Sequence, residues 1–242
     1  MKSRASFVSA LTFVLILTLT SYTTAGPTAD QTDVPWKAER LVFEISWFNL
    51  KGGTAVIEVS EGAELNGRKL HQISAVTNSN SFVDKFHKVR DRVDSFVYAD
   101  NLSSAGFKVH QEEGSYRQDK EISFDYTKGV ATYKVDKETS IYPIPLFLQD
   151  ALSSLYYLRT RKLVIGEPVI IDVFEDKKLW QLEVQVLGNE KISTPAGEFD
   201  TVLVKPLLKF EGIFQRKGEV YVSLTDDSRK IPVRMKSKIK IG

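Results

Sequence analysis

The sequence contains no cysteine among its 242 residues. Disulfide bonds, thiolate metal sites, a cysteine nucleophile and a lipid-modified cysteine are therefore excluded, and stability must come from the packed core. Histidine is also scarce, since His71, His87 and His110 are the only three, and no two of them have the i, i+4 spacing of a helical metal pair. We expect no metal site and no cofactor.

The N-terminus has the order of a secretory signal peptide. Lys2 and Arg4 precede an uncharged, mostly apolar run from Phe7 to Leu19, and the small residues Thr23 and Ala25 follow it. This run is shorter than the roughly 20 residues that cross a bilayer, and no later segment is long enough. We expect residues 1–25 to be a signal peptide cleaved after Ala25, with an uncleaved N-terminal anchor as the alternative, and no membrane span in the mature chain.

The mature chain would carry no net charge. Cleavage removes two basic residues and no acid, which leaves 31 basic and 31 acidic side chains. A balanced charge gives no global electrostatic reason to expect nucleic acid as a partner. The length and the lack of a linker indicate a flexible segment over residues 26–37, followed by a single domain over residues 38–242.

Alternation of apolar and polar residues recurs along almost the whole chain. Between Leu41 and Trp47 the apolar residues occupy every second position, which is typical of a half-buried strand. The same alternation predicts further strands at 55–60, 70–77, 89–97, 115–124, 130–135, 169–174, 179–187, 199–204, 218–225 and 231–241. Turns are expected at Lys128-Gly129, at 175–178 and at 194–198.

Gly52 and Gly53 stand between the first two predicted strands. A phosphate-binding glycine loop requires G-x-G-x-x-G spacing and a following helix, and neither is present. We expect residues 49–54 to form the turn of a hairpin, in which glycine supplies positive φ angles.

One segment has helical spacing instead. Its apolar positions are i, i+3, i+4 and i+7, with prolines before and Gly166 after, so we expect one helix of about three turns. The apolar face consists of Leu148, Ala151, Leu152, Leu155 and Leu158 or Arg159. Together these patterns predict an all-β fold, a curved antiparallel sheet forming an open barrel or β-roll with one short capping α-helix; a barrel, roll or sandwich all fit a dozen strands.

No catalytic motif is present. Glu112 and Glu113 are neighbours on a strand and point to opposite faces, so they cannot easily share a proton. Asp226-Asp227 has turn composition, and no G-x-S-x-G elbow or S-x-x-K pair occurs. We therefore expect no enzyme and assign no catalytic residue, although a site assembled in space would escape this reasoning.

Two stripes of basic residues recur at every second position, which places each stripe on one strand face. Adjacent stripes would create a positive field for an anionic ligand. A solvated face that discourages aggregation is the commoner origin of such stripes. The residues are Lys88, Arg90 and Arg92 in the first stripe and Arg234, Lys236, Lys238 and Lys240 in the second.

Five segments in order make the chain similar to a known family. They are FEISWFNLKGGTAVIEV, FHKVRDRVDSFV, QDALSSLYYLRTRKLVIGEP, ISTPAGEFDTVLVKP and DDSRKIPVRMKSKIKIG. From about Ala38 to Gly242 the chain resembles DUF3108, a family of exported bacterial envelope proteins of unknown function. The resemblance implies a Gram-negative periplasmic location and a curled all-β domain, supplies no catalytic residues, and implies further residues beyond Gly242.

Two functions fit these expectations. The first is a periplasmic binding or carrier domain that holds an apolar or amphiphilic envelope ligand inside a curved sheet. The second is a structural or protein-interaction module in envelope biogenesis, which would have a filled core and an exposed aromatic patch including Trp36 and Trp47. An enzyme would need a cleft where carboxylates or histidines converge.

Overall fold

The computed structural model of the protein describes residues 16–24, 34–47, 50–208 and 219–238. This part of the chain contains fourteen strands, one α-helix and a 3₁₀ helix over Val83–Lys85. The helix α1 spans Ala151–Arg159. The strands are β1 (Ile16–Thr24), β2 (Glu39–Trp47), β3 (Leu50–Leu65), β4 (Arg68–Ser79), β5 (Arg90–Tyr98), β6 (Ser104–Glu113), β7 (Tyr116–Asp125), β8 (Val130–Val135), β9 (Glu138–Pro143), β10 (Val169–Glu175), β11 (Lys178–Thr194), β12 (Gly197–Leu208), β13 (Glu219–Thr225) and β14 (Pro232–Lys238).

The strands form one antiparallel sheet in the order β10-β11-β12-β13-β14-β1-β2-β3-β4-β5-β6-β7-β8-β9. Neighbours in sequence are neighbours in the sheet except β9 and β10, which form its two edges, and β1 pairs with β14 as well as with β2. Side chains alternate between the two faces of each strand, and most of the apolar side chains lie on the buried face. The predicted all-β antiparallel architecture is confirmed.

The sheet curls until its two edges approach one another. Phe174 of β10 contacts Tyr142 of β9, with 5.8 Å between the ring centroids. Lys120 Nζ of β7 lies 2.9 Å from Glu175 Oε1 of β10. The edge strands β9 and β10 do not pair, so the sheet forms an open barrel.

Helix α1 fills the interior of this curl. Leu158 belongs to the core cluster of β10 to β13, while Tyr156 packs with Trp36 and strands β3 to β5. Leu148, just before the helix, and Leu152, in its first turn, pack with strands β6 to β8. The helix therefore joins three parts of the core, and Ala151 is exposed rather than on the buried face.

Two buried polar groups fix the helix in place. Asp150 is the N-cap, accepting hydrogen bonds from the backbone N–H groups of Leu152 and Ser153, and from the hydroxyls of Ser95 and Ser104. Arg159, at the other end, donates two hydrogen bonds of 2.7 Å to the carboxylate of Glu39. These contacts tie both ends of α1 to the sheet.

Several predicted boundaries differ from the structure. Gly52 and Gly53 lie inside β3, which begins at Leu50, rather than in the predicted turn, and residues 48–49 lie outside the described residues. Neither glycine has a positive φ angle. The predicted turns before β8, β11 and β12 are confirmed, and Asp176 and Lys177 have φ angles of 49° and 67° in the second of them.

The N-terminal region is ordered earlier than expected. Val34 and Trp36 are buried although they fall in the flexible segment predicted over residues 26–37, and residues 26–33 lie outside the described residues. Trp36 is therefore absent from the surface patch expected of an interaction module. Strand β1 lies within the predicted signal peptide, and its Leu19 is buried against β2 and β14. Within the described ranges, no helix has the length and apolar character needed to cross a membrane.

Candidate functional site

An apolar pocket opens at one end of the curled sheet. Its walls come from the end of β2, the start of β3, the connection between β4 and β5, and the end of β6. The register pairs Ala55 with Thr77 and Thr77 with Asp91, so these residues form one cross-strand row. Ala55 also pairs with the core residue Phe43, which places the row on the inner face of the sheet.

The pocket has a volume of about 460 Å³ and a mouth of large apolar side chains. Volumes of this size are typical of small-molecule sites. Trp47, Leu50, Phe82 and Phe86 are 39%, 62%, 60% and 78% exposed, respectively. We call these four residues, three aromatic side chains and Leu50, the aromatic rim. Exposed apolar side chains clustered around a cavity indicate a binding surface rather than scattered surface residues.

Gly52 and Gly53 form part of the pocket wall. A Cβ atom on Gly53 would lie 2.2 Å from the carbonyl oxygen of Asn78, so only glycine permits the close approach of β3 and β4. A Cβ atom on Gly52 would lie 3.9 Å from Cγ2 of Val83 and would take up pocket space. These glycines thus shape an apolar wall of the pocket. They form neither the predicted hairpin turn nor a phosphate-binding loop.

The loop that carries Phe82 and Phe86 is held by polar contacts beneath it. Asn80 accepts hydrogen bonds from the N–H groups of Phe82 and Val83, and its side chain donates to the carbonyl of Lys51. Arg90 donates to the carboxylate of Asp84, and this contact lowers the pKa of Asp84. The loop geometry therefore depends on Arg90, a member of the first predicted basic stripe.

The polar end of the pocket contains His87, Asp91 and Glu113. Val89 and Glu113 form a bridge between the two strands, and Val93 pairs with Val109, so Asp91 and Glu113 lie on the same inner face. Both carboxyl groups line this end of the pocket, and we call them the carboxyl pair. Burial, and then the charge of Asp91, raises the pKa of Glu113, while His87 opposes this.

The first basic stripe lies on the other face of the same strand. Lys88, Arg90 and Arg92 alternate with the inward Val89 and Asp91. All three form salt bridges, with Glu112, Asp84 and Asp94, respectively. Each of these three cations is therefore already paired with a carboxylate.

The second basic stripe is separated from the first by four strands, β1 to β4. The two stripes are therefore not adjacent in the sheet. Arg234 of β14 forms a salt bridge with Glu190 at 2.8 Å, and Lys236 lies on the same strand. The side chain of Lys238 and all of Lys240 fall outside the described residues. Anion binding by these residues stays a prediction.

The other two histidines have separate environments. His71 is buried and contacts Trp36 edge-on, with 5.4 Å between the ring centroids. Burial lowers the pKa of His71. His110 Nδ1 lies 2.7 Å from Asp119 Oδ1 on an exposed part of the sheet. The described residues contain no cluster of three ligand-type side chains suited to a metal ion.

A second pocket of about 380 Å³ lies over strands β5 to β8 and is lined mainly by charged side chains. Its opposite charges neutralise each other through ion pairs such as Arg92 with Asp94 and Lys108 with Glu121. The apolar pocket is thus the stronger candidate, because its walls offer apolar area that a ligand would remove from water.

Sequence reasoning missed the central residues of this site. Phe82 and Phe86 are in a loop and follow no strand or helix period, although two phenylalanines in a polar loop are an unusual composition. Glu113 was considered only with Glu112, its neighbour in the chain. Its actual partner is Asp91, across the pair of strands.

Comparison with known proteins gives a family but no activity. The DUF3108 family model, described as a protein of unknown function, matches residues 42–242. No curated protein matches the chain. Among solved structures, a beta-barrel-like protein of domain of unknown function DUF1849 from Brucella abortus is 10% identical, with a TM-score of 0.45 over 93% of this chain and 95% of that chain.

Proposed function

The chain belongs to the DUF3108 family, whose description names no activity, and we propose its function from the geometry of its own pocket. The protein is a non-catalytic binding or carrier domain for an apolar or amphiphilic ligand of the cell envelope. The observation that carries this proposal is the apolar pocket of about 460 Å³ behind the aromatic rim.

The pocket combines features that favour an apolar chain. Its floor is continuous with the core, because Ala55 belongs to a buried cluster and Ile45 packs against that cluster. Each buried methylene group of a ligand would contribute about 0.8 kcal/mol. The rim would cover the part of the chain that protrudes, so that ligand binding also removes rim side chains from water.

Competition binding tests the proposal. The fluorophore N-phenyl-1-naphthylamine should become brighter on binding the pocket and be displaced by long-chain amphiphiles. Gly52→Val fills space beside Val83 and should weaken binding at least about tenfold. Phe82→Ser/Phe86→Ser should weaken it as well. The control Ile141→Ser removes an equally exposed apolar side chain on β9 and should bind as the wild type does.

The same rim supports a second candidate, a docking surface for an envelope protein. Trp47 and Leu50 lie beside Phe82 and Phe86 at the pocket mouth and are exposed together. In-cell cross-linking separates the two candidates. A protein partner should be lost in Phe82→Ser/Phe86→Ser but kept in Gly52→Val, whereas a small-molecule carrier loses its ligand in both.

The absence of catalysis is part of the proposal and has its own measurement. His87 and two carboxyl groups converge at the pocket, which is the arrangement that an enzyme would need. A bound ester or amide amphiphile should be recovered unchanged by mass spectrometry after prolonged incubation. Conversion that is lost in Glu113→Gln would show that the pocket is an active site.

A further inference from the structure

The charges near the apolar pocket are unevenly distributed. Asp91 and Glu113 lie on the inner face at its polar end, and within the described part of the chain neither forms a salt bridge. Among the described residues, Asp91 accepts a hydrogen bond from the backbone N–H of Glu112, which lies 3.0 Å from its Oδ1. The pair is therefore a source of negative charge facing the cavity.

The cations around the pocket already form salt bridges, and on the outer face Glu112 pairs with both Lys88 and Arg117. Lys51, which lines the pocket, lies 2.6 Å from the carboxylate of Glu44. Lys88 and Arg90 pair with Glu112 and Asp84. His87 is the remaining basic side chain at the pocket. An anionic head group would thus lie against the carboxyl pair, while the lining cation Lys51 is held by Glu44.

The position of the pair suits a ligand with two different ends. The rim and the walls are apolar, while the carboxyl pair lies where β5 begins and β6 ends. A chain in the apolar part would bring its head group to this polar end. Hydrogen bonds between a carboxylate and a charged donor are about twice as strong as neutral ones.

We propose that the pocket binds single-chain amphiphiles that carry a protonated amine, with the amine at Asp91 and Glu113. This inference rests on the proposed binding function and specifies its ligand class. It reverses the sign suggested by the first basic stripe, because those three side chains lie on the outer face and are paired, whereas the carboxyl pair faces the cavity.

The test uses three amphiphiles with the same chain and different heads. Dodecylamine, dodecanol and dodecanoate, each below its micelle concentration, are titrated into the protein at pH 7.5 by calorimetry. Dodecylamine should bind on the order of tenfold or more tightly than dodecanoate, as a charge-assisted hydrogen bond would produce. Dodecanol should lie between them.

Two matched variants assign the preference to the carboxyl pair. Asp91→Asn/Glu113→Gln should lose the preference for dodecylamine over dodecanoate. Asp119→Asn/Glu121→Gln removes the same charge from the second, charged pocket and should keep the preference. That control excludes a general electrostatic effect.

The outcomes separate the two proposals. If all three amphiphiles bind equally, or if dodecanoate binds best, the inferred ligand class is wrong while the binding function stands. If the preference survives in Asp91→Asn/Glu113→Gln, the amine does not bind at the carboxyl pair and the inference has failed. If none of them binds and N-phenyl-1-naphthylamine does not bind either, the binding function itself has failed.

Discussion

Arg159 and Glu39 form an ion pair that is 0% and 2% exposed. The guanidinium also donates to the carbonyl of Arg229 at 3.1 Å and lies 4.9 Å from the ring centroid of Tyr156. Such a pair is costly to break from one side, because the remaining charge is left buried without a partner. These contacts join α1 to β2 and to the connection before β14.

Removing one partner should therefore destabilise the domain more than removing both. Arg159→Met is expected to lower the free energy of unfolding by about 3–5 kcal/mol. Glu39→Leu/Arg159→Met should lower it by less, because no charge is stranded. Urea denaturation measures both variants. If the double variant is destabilised as much as Arg159→Met or more, the pair is not acting as a buried unit.

The ionised side chain of Glu113, in contrast, should lower the free energy of unfolding, so that removing its charge stabilises the domain. A carboxyl with a folded-state pKa above its unfolded value favours folding while protonated, and this contribution is lost as the pH rises through the raised pKa. The groups that face it are Asp91 and His87. At pH 8, Glu113→Gln should be more stable than the wild type by up to about 1 kcal/mol after solvent screening.

Thermal unfolding across pH checks this expectation. The difference should shrink as the pH falls to the ordinary range of a glutamate, because the wild-type side chain is then also neutral. A Glu113→Gln protein that is less stable at pH 8, or a difference that grows on acidification, would contradict the raised pKa. A carboxyl kept at a cost in stability is typical of a functional residue.

At the scale of the elements, the contact between β3 and β4 requires glycine at one position. Gly53→Ala places a Cβ atom 2.2 Å from the backbone oxygen of Asn78, so the strands must separate. We expect a loss of about 1–3 kcal/mol. The matched control is Gly52→Ala, whose Cβ would lie 3.7 Å from the nearest atom. Equal stability of the two variants would refute this account of the wall.

Strand β1 gives a prediction about processing. If the signal peptide is cleaved after Ala25, the mature chain begins at Gly26 and lacks β1, and the edges of β2 and β14 lose their shared partner. Intact-mass measurement of envelope-purified protein should report residues 26–242. A mature chain that retains residues 16–24 would exclude cleavage at this position and favour the uncleaved anchor.

The strands with regular alternation could be predicted from the sequence. Leu182, Val184 and Val186 are buried as their spacing requires, and Gly129 turns with a φ angle of 66°. Strand β6 was missed because the small residues that open it and the acids that end it lack a clean apolar period. Strand β9 was missed as well, since its apolar residues are partly exposed.

The candidate site was far less predictable, because it depends on pairing between strands. Asp91 and Glu113 are 22 positions apart, and the register of β5 against β6 brings them together. No periodicity within one strand encodes that register. The capping helix was predicted, but the buried ion pair of its Arg159 with Glu39 is likewise a contact between distant segments.

At the scale of the whole molecule, the open curl accounts for both the core and the pocket. Helix α1 fills the part of the interior near β5 and β10, whereas the end near β2, β3 and the 3₁₀ helix keeps an apolar cavity. Interior volume that side chains do not fill is what allows such sheets to hold ligands. The fold thus separates the part of the interior that α1 fills from the cavity that we propose binds a ligand.

Native mass spectrometry of the protein purified from its own cell envelope tests this account most directly. The account predicts a mass above that of the chain alone, from an amphiphile that organic solvent releases and that Gly52→Val no longer retains. An unliganded mass for the wild type, together with no uptake of added dodecylamine, dodecanol or dodecanoate, would contradict it.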